Sequence, residues 1–171
     1  MDREIPQGRE VNALTDRLIE IIVDVPDSQI TLLQNEREQA IAGLLEFNYF
    51  KYIKEPDGPY RLRLSIEDGY LVFRLRDASN NDLPLLAISP RPYKKLIQDY
   101  FMMVESYEQV RASDPYKLEA IDMGRRGIHN EGATLLMERL KDKIEMDFET
   151  ARRFFTLICV LHLNGHRLLV G

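Results

Sequence analysis

The dipeptide Asp68-Gly69 constrains this chain more than any other two residues. Both residues tolerate the positive φ that a two-residue type I′ turn demands, and apolar and polar residues alternate on either side of them. The turn sets the register of a hairpin from Tyr60 to Arg76. In it Glu67 faces Tyr70, Ile66 faces Leu71, Leu64 faces Phe73 and Leu62 faces Leu75. A slip of one residue would move every apolar side chain to the other face. All three apolar pairs share one side, so the turn and the pattern agree.

The same register loads the opposite face with arginine. Arg63 lies across from Arg74, and Arg61 across from Arg76. Like charges directly opposite one another are unfavourable unless something neutralises them. Planar guanidinium forks could grip a phosphate or carboxylate. Alternatively Glu20 and Asp24, which alternate onto one face of an earlier strand, could complete a salt lattice. A third arrangement lays a helix, from this chain or a second copy, over that face.

Further elements follow from period and punctuation. Arg17 to Val25 reads as a strand, with Ile19, Ile21, Val23 and Val25 on one face and Leu18, Glu20, Ile22 and Asp24 on the other, ended by Pro26-Asp27. Asn35 to Phe47 reads as a short helix with an apolar stripe of Ala40, Ile41, Leu44 and Leu45. Residues 47–53 suggest another strand, and residues 55–59 a turn. A strand near Leu83 to Ile88 carries Pro84, which suits an edge.

After Ser89, a candidate cap, the period becomes helical. Tyr93, Leu96, Ile97, Tyr100, Phe101, Val104 and Tyr107 repeat at core spacing to about Ala112. Asp114-Pro115 supplies the N-cap and first residue of the next helix, and Asp147 caps the last, which should end at Gly165. That last helix is apolar nearly all round at FFTLICVL and is expected at the centre. The expected fold is α+β: an antiparallel sheet of about four strands in the N-terminal half, packed against three to four C-terminal helices with the last one buried. Residues 1–171 are expected to form one domain, with 1–14 as a flexible lead, 15–89 mainly sheet and 90–165 helical.

Composition narrows the function. With 171 residues, 44% apolar and 30% charged, the chain can bury a full core of its own. The longest apolar stretch, Phe154 to Leu163, is far short of a membrane span of about 20 residues. The N-terminus lacks the apolar core of a signal peptide. One cysteine, Cys159, cannot close an internal disulfide and suits a reducing compartment, so the expected location is cytoplasmic. A net charge of −5 argues against coating nucleic acid. Yet residues 61–95 carry seven basic and four acidic groups, a local excess of +3.

The second charged feature is IDMGRRGIHNEG, residues 121–132. On one continuous helix, Leu118, Ile121, Ile128, Leu135 and Leu136 share an apolar arc that includes Arg125, with Asp122 and His129 at its border. Gly124 and Gly132 lie on that side and would let another backbone approach. An arginine among leucines must be paired or reach water. Alternatively, three glycines could break the helix near 124–127 and restart it at Asn130 as an N-cap, leaving Arg125 and Arg126 before an anion-favouring helix start. Arg125, Arg126, His129, Asn130, Glu131 and Asp122 are therefore candidate binding residues alongside Arg61, Arg63, Arg74 and Arg76. A buried ion-pair network would explain Arg125 without any ligand.

The segments GPYRLRLSIEDGYLVF (58–73), EAIDMGRRGIHNEGATLL (119–136) and DFETARRFFTLICVLH (147–162) resemble those of an uncharacterised protein family found mostly in alphaproteobacteria. The resemblance spans about residues 15–165 and leaves out the first dozen residues and the tail HRLLVG. It implies no activity and brings no catalytic residues with it.

Other constellations are weaker. His129-Asn130-Glu131 has the His-x-Glu of zinc deaminases without their Pro-Cys-x-x-Cys partner. His162 and His166 are spaced like a zinc pair, but Gly165 should end the helix between them, so no metal and no cofactor is expected. Cys159 and His162 are one turn apart, although a thiol in so apolar a stretch behaves as a small hydrophobe. Arg152-Arg153 read as a solvated edge near Glu149, with a contribution to the Arg125 site as the less favoured view.

The expectation is a non-catalytic binding or interaction module for a protein partner or a small anionic ligand, with a homodimer as the assembly to test. The alternative is an enzyme acting on a phosphorylated or carboxylated metabolite, in which Arg125 and Arg126 hold the anion, His129 is general acid or base, and Glu131 or Asp122 orients it.

Overall fold

The computed structural model describes residues 12–25, 33–110 and 114–162. Its first sheet has the order β1-β3-β4-β5, from β1 (Leu18–Val23), β3 (Tyr60–Glu67), β4 (Tyr70–Asp77) and β5 (Leu86–Ile88). The β3–β4 register is the one the turn dictates, from Glu67 opposite Tyr70 to Arg61 opposite Arg76. Asp68 and Gly69 both have positive φ, 51° and 81°, as a type I′ turn requires. Leu62, Leu64, Leu71, Phe73 and Leu75 are buried on the inner face.

The sheet is mostly antiparallel, as β1 runs parallel to β3. A parallel neighbour needs a crossover, supplied by α1 (Gln34–Glu46) and β2 (Phe50–Tyr52). The register of β1 also differs from strict alternation. Leu18 pairs with Tyr60 and Glu20 with Arg61, so Ile19 is an extra residue. This bulge turns Leu18 inward together with Ile21 and Val23, whereas simple alternation puts Leu18 outward beside Glu20.

A second, two-stranded sheet pairs β2 with β6 (Ile144–Met146), a strand that periodicity does not reveal. A 3-10 turn at Arg91–Tyr93 leads into α2 (Lys94–Val110), so the prolines at 90 and 92 delay the α-helix past its capping serine. The Ser89 hydroxyl accepts a bond from the Arg91 N–H at 3.3 Å.

The helix α3 (Pro115–Leu140) is continuous through all three of its glycines, so the break-and-restart arrangement does not occur. Asp114 caps it by accepting from the N–H groups of Tyr116 and Lys117. Gly124 faces Met103 of α2 and Gly132 lies under the Phe155 ring, so what these glycines admit is side chains, not a second backbone. The buried stripe is Ile128, His129, Gly132, Ala133, Leu136 and Leu140. It is rotated from the expected arc, which moves His129 from the border to the inside.

The last helix, α4 (Phe148–Leu161), is capped by Asp147 and buried from Phe154 through Val160. It packs between α3 and α1 and meets the sheet through Phe154, which lies 6.2 Å from Phe73 and 6.0 Å from Phe50 between ring centroids. The expected strand stop at Pro26-Asp27, helix end at Ala112 and helix end at Gly165, together with His166, lie outside the described residues. Among the described residues no helix is long and apolar enough to cross a membrane.

Candidate functional site

On the outer face of the sheet every hairpin arginine has a carboxylate. Arg61 meets Glu20 at 2.7 Å, Arg63 meets Asp24 at 3.7 Å, Arg74 meets Glu67 at 2.6 Å and Arg76 meets Asp82 at 3.0 Å. Two carboxylates come from or beside β1, one from the end of β3 and one from the loop before β5. The Arg74–Glu67 pair is bidentate: Nε and Nη2 of Arg74 both donate to Glu67, and the Ser65 hydroxyl donates to it as well. These bonds hold the Glu67 carboxyl down at about 2. The four cations are matched by four anions.

The second constellation lies where α1, α3 and α4 converge. Arg125 of α3 donates to both oxygens of Glu36 on α1, at 2.6 and 2.5 Å, with both side chains about three-quarters buried. One turn on, His129 is 8% exposed and stands edge-on to the rings of Tyr100 and Phe155. Its Nδ1 lies 2.9 Å from the Arg125 carbonyl, which can only accept, so Nδ1 carries the proton. Its Nε2 then accepts from the Thr156 hydroxyl of α4, at 3.0 Å. Burial lowers the pKa of His129, and the charges of Arg125 and Arg152 act in the same direction, against the Arg125 carbonyl and Glu36. The imidazole is neutral at pH 7.

The cleft beside this pair has a volume of about 330 Å³. Arg152 and Arg153 line it together with Glu36, Arg125, His129, Glu149 and Thr156, so both join the Arg125 site. They share one carboxylate: Glu149 lies 3.2 Å from Arg152 and 3.9 Å from Arg153. Gly43 of α1 clears the way for Arg153, whose guanidinium occupies the space a Cβ would need. The Arg152 Nε is buried and has no hydrogen-bond partner.

Other candidates are placed elsewhere. Arg126, Asn130 and Glu131 are exposed and do not line the cleft. Asp122 is half-buried and does not line the cleft. Glu36 and Thr156 line the cleft although sequence reasoning missed them, and Glu149, read there only as a neighbour of Arg152 and Arg153, lines it too. For Thr156 a signal existed, because it is the one polar residue in FFTLICVL and a buried hydroxyl must find a partner. Cys159 is fully buried, which pushes its thiol pKa up, and His162 turns its Nδ1 to the Ile158 carbonyl at 2.7 Å and not to the sulfur. Among the described residues no three His, Cys, Asp or Glu side chains are grouped to hold a metal ion.

Comparison with known proteins agrees with the resemblance carried by the three segments. A UPF0262 protein of Rhizobium meliloti is 47% identical over 151 residues, covering 87% of this chain and 96% of that relative. Another from Agrobacterium fabrum is 45% identical with the same coverage. One from Rhodospirillum rubrum is 46% identical over 158 residues, covering 88% and 95%. No solved structure matches the chain. Residues 15–164 match the profile of the uncharacterised protein family UPF0262, and with these relatives they show that the chain belongs to it.

Proposed function

We propose that this protein is a binding module whose α1–α3–α4 cleft takes a small phosphate- or carboxylate-bearing anion. The observation that carries this reading is the charge balance of the cleft. Three guanidinium groups face two carboxylates, and a buried Arg152 Nε has no partner. An orphaned buried donor costs about 1–3 kcal/mol, more when charged, and an oxyanion at that position would recover it. On the hairpin face Arg61 Nε is also buried without a partner, but four carboxylates match the four arginines, so that face lacks the surplus of positive charge.

Binding is favoured over general acid–base chemistry at His129 because both ring nitrogens are already engaged, by the Arg125 carbonyl and the Thr156 hydroxyl. Arg126, Glu131 and Asp122, which the catalytic arrangement would use, do not line the cleft.

The test is the melting temperature in the presence of sulfate, pyrophosphate and citrate. An anion at 100 times its dissociation constant adds about 2.7 kcal/mol, which is a rise of roughly 5–10 °C for a chain of this size. The rise should vanish in Arg152→Ala. A flat response to all three anions, or a rise that survives Arg152→Ala, would contradict the proposal.

A further inference from the structure

A cavity of about 610 Å³ lies apart from the arginine cleft, between the hairpin turn and the start of α2. Its volume falls in the range of small-molecule pockets, about 300–1,000 Å³. Asp68 and Tyr70 line it from the hairpin, Arg91, Lys94 and Ile97 from the 3-10 turn and α2, and His162 from the end of α4.

Charged groups of both signs line this cavity, and Arg91, Lys94 and Asp68 are exposed to water. Arg91 and Lys94 make no ion pair among the described residues, and neither does Asp68. His162 Nε2 is buried and has no hydrogen-bond partner. Its Nδ1 lies 2.7 Å from the Ile158 carbonyl, so Nδ1 carries the proton and Nε2 presents a lone pair. Burial lowers the His162 pKa, which keeps that lone pair free at pH 7. Two cations and a carboxylate without ion pairs among the described residues therefore share a cavity with an imidazole acceptor. The apolar part of the wall comes from Ile97 and from Tyr70, which is 53% exposed despite its size.

We infer that this cavity binds a zwitterion with an apolar side chain, a free amino acid or a short peptide. The carboxylate of the ligand pairs with Arg91 and Lys94. Its ammonium donates to Asp68 and to His162 Nε2, and its side chain lies against Ile97 and the Tyr70 ring. A simple carboxylate would leave the two acceptors unused, and a simple amine would leave the two cations unused.

Calorimetric titration of the full chain with L-phenylalanine, L-leucine and L-leucyl-L-leucine tests the inference, with 3-phenylpropionate and phenethylamine as the two half-molecules. At least one zwitterion should bind, and each half-molecule should bind at least tenfold more weakly than phenylalanine if phenylalanine is that ligand. The surface double variant Arg91→Gln/Lys94→Gln should lose at least tenfold in affinity. Asp68→Asn, which keeps the turn because asparagine also tolerates positive φ, should weaken the zwitterions and leave 3-phenylpropionate unchanged. Three results would overturn the inference: no heat from any zwitterion up to about 20 mM, 3-phenylpropionate binding as tightly as phenylalanine, or full affinity in the double variant.

Discussion

Two groups of arginines in this protein look alike in the sequence and differ in charge balance and exposure. On the sheet, Arg61, Arg63, Arg74 and Arg76 meet four carboxylates one for one, mostly in water; Arg63 and Asp24 keep 49% and 60% of their side-chain exposure. In the α1–α3–α4 cleft, Arg125, Arg152 and Arg153 share two carboxylates, and Arg125 and Glu36 keep only 29% and 23%. A cluster of like charges is thus a weak signal by itself. The count of opposite charges around it and their access to water separate a lattice from a site.

The largest effect should come from breaking the scaffold of the cleft. In Gly132→Val the new side chain would overlap the Phe155 ring where α3 crosses α4. Overpacking of this kind should cost about 3 kcal/mol in urea unfolding. Thr156→Val is nearly isosteric and removes the donor to His129 Nε2, leaving a buried acceptor unsatisfied. It should cost about 2 kcal/mol by the same assay.

Acid should act on the helical side of the molecule in a pH window where histidine titrates. His129 and His162 are held neutral by burial, below their ordinary 6.5. Below about pH 6.5 the unfolded chain binds protons that the folded chain refuses. Stability is therefore fully present above that pH and falls on the way down to the folded pKa values, by about 1.4 kcal/mol per pH unit for each histidine. Urea midpoints between pH 5 and 8 should show this slope, and His129→Gln should reduce it. The sheet face contains arginines and carboxylates without histidine, and Glu67 there stays ionised down to about 2. The smallest effect belongs to that face: Arg63→Ala should change stability by no more than about 0.5 kcal/mol. A larger loss would mean that the lattice carries stability its exposure does not suggest.

Local chemistry was legible in the sequence and distant pairing was not. The Asp68-Gly69 turn names its own register, and Asp114 and Asp147 mark helix starts, because each acts within a few residues. The parallel pairing of β1, its bulge at Ile19 and the strand at 144–146 depend on partners far along the chain. The cleft divides in the same way. An arginine in an apolar arc must find a counter-charge, so the need at Arg125 was readable. Its partner Glu36 lies 89 residues away, and nothing local to either residue names the other. For Arg152 and Arg153, neighbouring Glu149 offered a sufficient local answer, which hid their place in the cleft.

The central claim is that the surplus of positive charge in the cleft, and not the arginine face of the sheet, is the binding feature. Titration calorimetry with pyrophosphate tests it most directly, on the unaltered chain, Arg152→Ala and Arg74→Ala side by side. The account predicts binding to the unaltered chain and to Arg74→Ala with affinities within about twofold, and a loss of at least about tenfold in Arg152→Ala. Loss in Arg74→Ala with affinity kept in Arg152→Ala would contradict it.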